Sequence, residues 1–302
     1  MTVSSAAPAG PGAAPGCQPP DPAPRPAGFT PPPHACDSHA HIIGEPARYP
    51  MVANRSYTPP PASIAAYRAM LAALGLERGV IVQPSFYGTD NRCTQDALRA
   101  SAGAFRGVAV VGAGVDAGLL AELSADGFRG ARFNLLFGGG LSLDVLEDVA
   151  ARVARVGWHV QLLIDIRQLP AIEARIAALP CPVVFDHLGH FPVPASGAEG
   201  EAGFAALERL VGNGRTWVKL SGGYRLSALP PPYADLRGFA QRLCALRPDR
   251  LVWGSDWPHT ALEGEMPNDG PLLDTLADWV PDTATRKRIL VDNPAALYDF
   301  PL

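Results

Sequence analysis

Short apolar, β-branched segments recur along the chain and alternate with longer segments in which apolar residues return every three or four positions. The short segments predict β-strands, because runs of about four to eight such residues suit a buried strand. The longer segments, such as residues 62–75 and 142–157, predict helices with one apolar face. The eight candidate strands cover residues 35–42, 79–85, 106–112, 130–135, 159–164, 181–187, 217–222 and 250–256.

Strands that alternate with helices predict a parallel sheet, and eight such units can close into a (β/α)8 TIM barrel. An open, doubly wound sheet is the alternative arrangement. No GxGxxG motif follows the first candidate strand, so the commonest reason to prefer the open sheet is missing. We predict an α/β fold with a single domain, a TIM barrel that spans residues 34–302.

The first 33 residues differ from the rest of the chain, since they consist mostly of Pro, Ala, Gly and Ser. Such a segment buries little apolar surface, and little then offsets the entropy that is lost on ordering. We therefore predict that residues 1–33 form a disordered tail and that the folded domain begins at the ACDSHAHI segment.

Polar residues follow the candidate strands at the end where a TIM barrel carries its active site. Six of the eight strands end in, or are followed directly by, polar or ionisable side chains. These residues are His39, His41, Ser85, Arg132, Asn134, His187, Ser221, Arg225 and Asp256. Their convergence on one rim predicts a functional site there.

The composition excludes several classes of protein. Hydrophobic residues make up 47% of the chain and charged residues 18%, a balance typical of globular proteins. The formal net charge of −4 provides no excess of Lys and Arg, which argues against a nucleic-acid partner. No apolar run reaches the roughly 18 residues that a membrane-spanning helix needs, so no membrane partner is expected.

The cysteines and the N-terminus indicate the cell compartment. The five cysteines, Cys17, Cys36, Cys93, Cys181 and Cys244, are scattered and form no CxxC pair, which favours reduced thiols over a disulfide framework. The N-terminus has neither the basic nor the continuous apolar segment of a secretory signal. We expect a cytoplasmic protein, and no segment specifies an oligomeric interface.

His39 and His41 occupy alternate positions of the first strand, so both rings point to the same side. Two imidazoles on one face can bind a divalent metal ion, or can donate hydrogen bonds to an anionic intermediate. Asp37 lies on the same face, where its carboxylate could orient one of the histidines.

Asp256 lies in the segment WGSDWPH, between two tryptophans at the end of the last strand. Nearby imidazoles and guanidinium groups would keep such a carboxylate ionised, as a general base requires. A helix N-cap is the alternative role. Arg132 and Arg225 come from different strands but face the same rim, and paired guanidinium groups suit the binding of a carboxylate.

Two rim loops have flexible backbones, namely the GTDN segment at residues 88–91 and the three glycines at residues 138–140. Neither is followed by the GK[ST] of a phosphate-binding loop. A close approach of the backbone to a substrate, or a mobile lid, is expected instead.

Seven segments carry a resemblance to a known family. In chain order they are DSHAHI, GVIVQPSFYGTDN, GFRGARFN, GWHVQLLID, VVFDHLGH, VKLSGGYRLS and WGSDWPHT. In this set and order they resemble the 2-pyrone-4,6-dicarboxylate lactonase group of the amidohydrolase superfamily, whose members are TIM barrels. The likeness covers nearly everything from about residue 35 to 302, including the closing segment LVDNPAALYDF.

The resemblance implies a hydrolase that opens a small anionic lactone in aromatic catabolism, without a metal ion or another cofactor. It implies that Asp256 activates a water molecule, while His39, His41 and His187 surround the water and the carbonyl group. Four further residues match family positions that hold substrate carboxylates and ring oxygens: Tyr57, Ser85, Arg132 and Arg225.

Metal dependence is the main alternative. Metal-dependent relatives add a histidine at the end of the fifth strand, whereas here that strand ends in Leu163 and Ile164, and His159 lies at its start. By ligand count, Zn²⁺ or Mn²⁺ could still bind to His39, His41, His187 and Asp256. A metal-dependent amidohydrolase or decarboxylase on the same barrel is thus the second hypothesis, and a carboxylate-binding protein without catalysis is the third.

The resemblance is weakest at the positions that bind the substrate. Family members that bind the dicarboxylate carry a second arginine near the position of Gly138, an aromatic hydroxyl near Leu163, and an asparagine near Ala261. The missing arginine would have made a charge-assisted contact with a carboxylate, and the loss of such a contact costs about 1.5–3 kcal/mol. A lactone with one carboxylate, or a sugar-acid lactone, is therefore expected as readily as the pyrone dicarboxylate.

Overall fold

The computed structural model describes residues 14–301, apart from the side chains of residues 194–196. Eight strands form one parallel sheet and follow each other around it in chain order. They are β1 (Cys36–Ala40), β2 (Arg78–Val82), β3 (Phe105–Ala109), β4 (Phe128–Asn134), β5 (His159–Leu163), β6 (Val183–Phe185), β7 (Thr216–Leu220) and β8 (Leu251–Trp253).

The sheet closes between β1 and the segment that follows β8. The backbone N–H of Asp256 donates to the carbonyl of His39 at 2.8 Å, and that of His41 donates to the carbonyl of Trp257 at 2.7 Å. The predicted TIM barrel is confirmed, and the open sheet is wrong. All eight predicted strands overlap an observed one.

Helices surround the sheet and fill the connections between the strands. They are α1 (Ile64–Leu74), α2 (Arg92–Arg99), α3 (Ala117–Ala125), α4 (Leu146–Ala154), α5 (Leu169–Ala177), α6 (Val193–Gly212), α7 (Gly223–Leu226), α8 (Arg237–Leu246), α9 (Asp269–Trp279), α10 (Thr283–Lys287) and α11 (Asn293–Tyr298).

Helix α1 shows how local sequence specifies these elements. The Ser63 side chain accepts a hydrogen bond from the backbone N–H of Ala66, and Gly75 ends the helix with a φ of 73°, which a residue without a Cβ adopts easily. Tyr67 and Met70 lie on its buried face, at the spacing that the apolar pattern predicts.

The last strand and the sixth strand are shorter than predicted. The sequence predicts strands to His187 and Asp256, but β6 ends at Phe185 and β8 ends at Trp253. Beyond these ends the backbone leaves the extended conformation, with a φ of 50° at His187 and 67° at Asp256. Both side chains are thereby turned out of the strand pattern and into the rim.

The C-terminal segment closes the opposite end of the barrel, where the strands begin. The guanidinium groups of Arg78 and Arg106 lie over the ring of Phe300 at 5.2 and 4.6 Å. Arg129, near the start of β4, forms an ion pair with Asp299 at 3.1 Å. The bottom of the barrel is therefore filled by the chain end, and the rim at the other end remains for a ligand.

The predicted tail is described from Ala14 onward. In this part of the tail, residues 14–33, the backbone N–H of Cys17 donates to the carbonyl of Thr58 at 3.1 Å. The N–H of Arg25 donates to the Asn268 side chain at 3.0 Å. Residues 14–25 thus contact the rim loops, and the N–H of Gly28 donates to the Asp274 side chain in α9, which differs from the prediction of disorder. The physical reason is that their backbone groups find partners on the rim loops, which composition does not reveal. The first 13 residues lie outside the described part.

Within residues 14–301, no helix is both long enough and apolar enough to cross a lipid bilayer. All five cysteines are free, and the Sγ atoms form no disulfide. Three of them, Cys36, Cys93 and Cys181, are buried as small apolar side chains.

Candidate active site

A cavity opens at the carboxyl ends of the strands. It is lined by His41, Tyr57, Arg132, Asn134, Phe137, Leu163, His187, His190, Arg225, Asp256 and Thr260. Six of the eight predicted site residues are among them. The other two, His39 and Ser85, are buried beside the cavity.

Three histidines surround the Asp256 carboxylate. The Nε2 atoms of His39 and His41 each lie 3.7 Å from Oδ1 of Asp256. The Nε2 atom of His187 lies 3.7 Å from Oδ2. The structure therefore brings together the four residues that the sequence predicted as catalytic, although β1, β6 and β8 lie far apart along the chain.

The carboxylate of Asp256 is buried and held at one oxygen. Its Oδ2 accepts hydrogen bonds from Nε of Arg225 at 2.6 Å and from the Tyr224 hydroxyl at 2.7 Å. Burial by itself would raise the pKa of Asp256, but the charge of Arg225 and the neighbouring histidines hold the pKa well below its usual value. Asp256 is thus ionised at neutral pH, with Oδ1 free to accept a proton, and the side chain does not act as an N-cap.

The backbone at the rim is strained. Asp256, His187, His190 and His259 have φ values of 67°, 50°, 50° and 60°, in the left-handed region. Residues other than glycine avoid this region at a cost of about 1–2 kcal/mol each. Such strain is concentrated at functional sites, where the surrounding structure holds side chains in place.

Two buried charged side chains, those of Asp186 and Lys219, contact the ring of His39. Its Nδ1 lies 3.2 Å from Oδ1 of Asp186 and 3.2 Å from Nζ of Lys219. Lys219 also donates to the carbonyl of Ser38 and to Oε1 of Gln161, both at 2.9 Å. His39 therefore presents Nε2 to the carboxylate of Asp256 in one fixed orientation.

Asp37 does not orient a histidine ring, contrary to the expectation from the sequence. Its carboxylate accepts hydrogen bonds from the Ser255 hydroxyl at 2.6 Å, from the Tyr67 hydroxyl at 3.0 Å and from the backbone N–H of His39 at 3.1 Å. The register of β1 against β2 shifts by one residue between Asp37 and Ala40. Asp37 thus ties β1 to the last strand.

Asp186 and Lys219 contact His39 beneath the cavity, and the sequence analysis does not include them among the candidate site residues. Burial by itself would raise the pKa of Asp186, but His39, Lys219 and Arg132 hold this pKa well below its usual value. Burial lowers the pKa of Lys219 to about 8. A charged residue in the middle of the apolar strand segment TWVKL was the available signal.

His41 can accept a hydrogen bond, through Nε2, from a molecule in the cavity. Its Nδ1 lies 2.7 Å from the carbonyl of Val82, an acceptor, and so carries the ring proton. Burial lowers the pKa of His41 to about 4, so the ring is neutral at pH 7 and Nε2 offers a lone pair. The sequence suggested that both strand-1 histidines could donate to an anion, and a neutral His41 cannot do so through Nε2.

His187 can donate into the cavity. Its Nδ1 lies 2.9 Å from the Ser221 hydroxyl, which can act as a donor to that nitrogen. Burial lowers the pKa of His187 to about 3, and the neutral ring then carries its proton on Nε2. The three histidines are therefore chemically distinct.

The two predicted substrate-binding arginines differ in their partners. Arg225 uses Nε for Asp256 and Nη2 for the carbonyl of Thr260, at 2.6 and 2.9 Å. Arg132 donates through Nη1 to the carbonyl of Gln83 at 3.2 Å. The buried Nε of Arg132 has no partner in the part of the chain that is described.

The three-glycine loop is packed tightly over the rim. A Cβ on Gly138 would lie 2.4 Å from the carbonyl oxygen of Asn54, and one on Gly139 would lie 2.4 Å from that of Ser85. The N–H of Gly138 donates to the Ser56 hydroxyl at 2.7 Å. Of the two roles expected for this loop, close backbone approach fits this packing, and the close contacts oppose a mobile lid.

Tyr224 connects Asp256 to a second buried pair. The Tyr224 hydroxyl lies 3.0 Å from Nδ1 of His259, whose Nε2 lies 3.1 Å from Oδ1 of Asp269 in α9. This chain of contacts holds the hydroxyl where it can donate to Asp256.

We expect Tyr224→Phe to lower kcat by roughly 10- to 100-fold with a smaller change in KM, because hydrogen bonds to charged groups contribute about 1.5–3 kcal/mol. Steady-state kinetics of the variant measures both values. Tyr233→Phe is the matched control, since that hydroxyl makes no side-chain hydrogen bond among residues 14–301. An unchanged kcat in Tyr224→Phe would show that this hydroxyl does not position the base.

A divalent metal fits the site by ligand type and spacing. Ligand atoms of His39, His187 and Asp256 all lie within 4.8 Å of one another, and His39 Nε2 is buried without a hydrogen-bond partner among the described residues. Fixed cations oppose a metal there, because Arg225 lies 2.6 Å from Asp256 and Lys219 lies 3.2 Å from His39. Geometry therefore permits a metal ion, and the surrounding charge disfavours one.

Known proteins are similar to this chain over most of its length. The family profile described as amidohydrolase matches residues 36–300. A 2-pyrone-4,6-dicarboxylate hydrolase of Comamonas testosteroni is 36% identical over 280 residues, which cover 89% of this chain and 92% of that protein. A 4-sulfomuconolactone hydrolase of Hydrogenophaga intermedia is 36% identical over 275 residues, which cover 89% and 90%.

Solved structures share the fold. A crystal structure from Agrobacterium tumefaciens, without ligand, has a TM-score of 0.82 and 31% identity, covering 91% of this chain and 99% of that one. An amidohydrolase from Burkholderia multivorans with bound zinc has a TM-score of 0.63 and 25% identity, covering 88% and 99%. Zinc is thus bound by one structural relative.

Proposed function

The chain belongs to the amidohydrolase family, and we propose that it hydrolyses a carboxylate-bearing lactone with Asp256 as the base that activates water. The named relatives that act on lactones support this proposal. The observation that carries it is the buried, ionised carboxylate of Asp256, with Oδ2 bound by Arg225 and Tyr224 and Oδ1 facing the cavity.

Two acceptors can hold the attacking water. Oδ1 of Asp256 and Nε2 of His41 lie 3.7 Å apart, close enough for one water molecule to donate a hydrogen bond to each. The oxygen lone pairs of that water then face the cavity, where the lactone carbonyl would lie. His41 is therefore proposed as an acceptor that positions the water.

The reaction follows from this arrangement. The water oxygen forms a bond to the carbonyl carbon while Asp256 takes a proton from the water. His187, through Nε2–H, and the guanidinium group of Arg225 stabilise the tetrahedral oxyanion, while Arg132 binds the substrate carboxylate. When the intermediate collapses, the ring C–O bond breaks and Asp256 returns the proton to the leaving oxygen. Tyr57 and Ser85 are proposed to bind substrate oxygens beside Arg132.

We propose that this reaction proceeds without a metal ion. The support is the charge of Arg225 and Lys219 beside the donor set, which already provides the positive field that a metal would supply. If a metal were bound, His39, His187 and Asp256 would hold it, and it would polarise a carbonyl or lower the pKa of bound water.

Removal of metal tests the proposal. We expect protein stripped with a chelator, and verified as metal-free by elemental analysis, to keep its full rate on a panel of carboxylate-bearing lactones. Activity that is lost on stripping and restored by Zn²⁺ or Mn²⁺ would support a metal-dependent amidohydrolase or decarboxylase instead. Ligand binding without turnover, with or without metal, would leave only a carboxylate-binding protein.

A reducing compartment such as the cytoplasm is also proposed for the protein. Its support is the set of five free thiols, of which Cys17 and Cys244 are partly exposed.

A further inference from the structure

The side chains around the cavity point to the class of lactone, an inference that rests on the proposed function. We infer that the preferred substrate carries a single carboxylate, which binds Arg132, and an apolar ring edge, which lies against Phe137 and Leu163. Neither relative named above carries this assignment, since one acts on a dicarboxylate and the other on a sulfomuconolactone.

The charged groups that line the cavity leave one positive charge unbalanced. They are Arg132, Arg225 and Asp256. Arg225 and Asp256 form an ion pair at 2.6 Å and balance each other.

Arg132 is the group that remains for an anion. Its Nη2 lies 3.5 Å from Oδ2 of Asp186, a long contact, and Asp186 also lies 3.4 Å from Nζ of Lys219. Arg132 is only 3% exposed, and its buried Nε–H has no hydrogen-bond partner among the described residues. A buried donor of this kind is costly until an acceptor reaches it, and a substrate carboxylate is a suitable acceptor.

Another part of the cavity wall is apolar. Phe137 and Leu163 line it, and the ring of Tyr57 packs edge-on against Phe137 at 5.4 Å. A second carboxylate would give the cavity a net negative charge, and burying an unbalanced charge is strongly unfavourable.

A lactone panel with the full chain tests the inference. Its members are 2-pyrone-4,6-dicarboxylate, 2-pyrone-6-carboxylate, uncharged 2-pyrone, and a hydroxylated sugar-acid lactone with one carboxylate. We expect kcat/KM for 2-pyrone-6-carboxylate to exceed that for each other member by at least tenfold. The dicarboxylate tests the charge balance, the uncharged ring tests the role of Arg132, and the sugar-acid lactone tests the apolar edge.

Each result on the unmodified protein has one meaning. A preference for the dicarboxylate or for the uncharged ring would overturn the inferred single carboxylate and leave lactone hydrolysis intact. A preference for the sugar-acid lactone would overturn the inferred apolar edge. Hydrolysis of none of the four would count against the proposed function itself, which keeps the two failures apart.

A matched pair of variants identifies the anion-binding group. Arg132→Met should lower kcat/KM for 2-pyrone-6-carboxylate by at least 100-fold, and this loss should exceed the loss on uncharged 2-pyrone by at least tenfold. Arg129→Met is the control, because Arg129 lies on the same strand at the opposite end of the barrel, paired with Asp299. Equal losses on the charged and the uncharged ring would overturn the role of Arg132.

Discussion

Asp256→Asn is expected to lower kcat by roughly 10²- to 10⁴-fold, the contribution typical of a positioned general base. The amide keeps an acceptor oxygen for Arg225 and Tyr224, so the side chain can stay in place. It cannot take a proton from water, because an amide oxygen is a very weak base. Single-turnover and steady-state kinetics on the preferred lactone measure the loss.

The fold of this variant must be checked beside its rate. A thermal melt and a circular dichroism spectrum establish that Asp256→Asn is folded. Asp292→Asn serves as the matched control, since that carboxylate lies in an exposed ion pair with Lys287 on the surface. A folded Asp256→Asn protein that turns over near the unmodified rate would rule out Asp256 as the base.

Lys219→Met is expected to lower the free energy of unfolding by about 3–5 kcal/mol, the usual cost of leaving one partner of a buried ion pair uncompensated. Lys219 is fully buried and donates to Ser38 and Gln161 while facing Asp186 and His39. Methionine fills a similar volume but leaves the carboxylate of Asp186 with fewer cations. Denaturant unfolding followed by fluorescence gives the difference.

The matched control is Lys287→Met at the surface. Lys287 is 55% exposed and pairs with Asp292, and exposed pairs of this kind typically contribute about 0–1 kcal/mol. If Lys219→Met were no more destabilising than Lys287→Met, the buried network would not need its lysine. The same variant should also lose activity, because the ring of His39 would lose one of its two supports.

The barrel could be derived from sequence because its signal is repeated and local. Each strand is a short β-branched run, and each helix carries its own apolar face and caps, as Ser63 and Gly75 show for α1. Strand ends were less predictable. The sequence predicted strands as far as His187 and Asp256. At both residues the backbone instead turns into the left-handed conformation, which the surrounding packing stabilises.

The meeting of the candidate site residues at one rim was also predictable from sequence. His39, His41, His187 and Asp256 stand at strand ends, and in a barrel such ends meet at one rim. The partners of these residues were not accessible. Nothing in the chain indicates that Arg225 pairs with Asp256 rather than standing free for a substrate.

Pattern and spacing along the chain thus specify the eight strand–helix units, the end of the barrel where the candidate site lies, and the residue types found there. The charge balance of the cavity, the proton positions on the histidines and the packing of residues 14–33 against the barrel depend on tertiary structure. The physical reason is distance. Hydrogen bonds and ion pairs act over a few ångströms between groups that are remote in sequence, such as Lys219 and His39, and only the closed barrel brings such groups together.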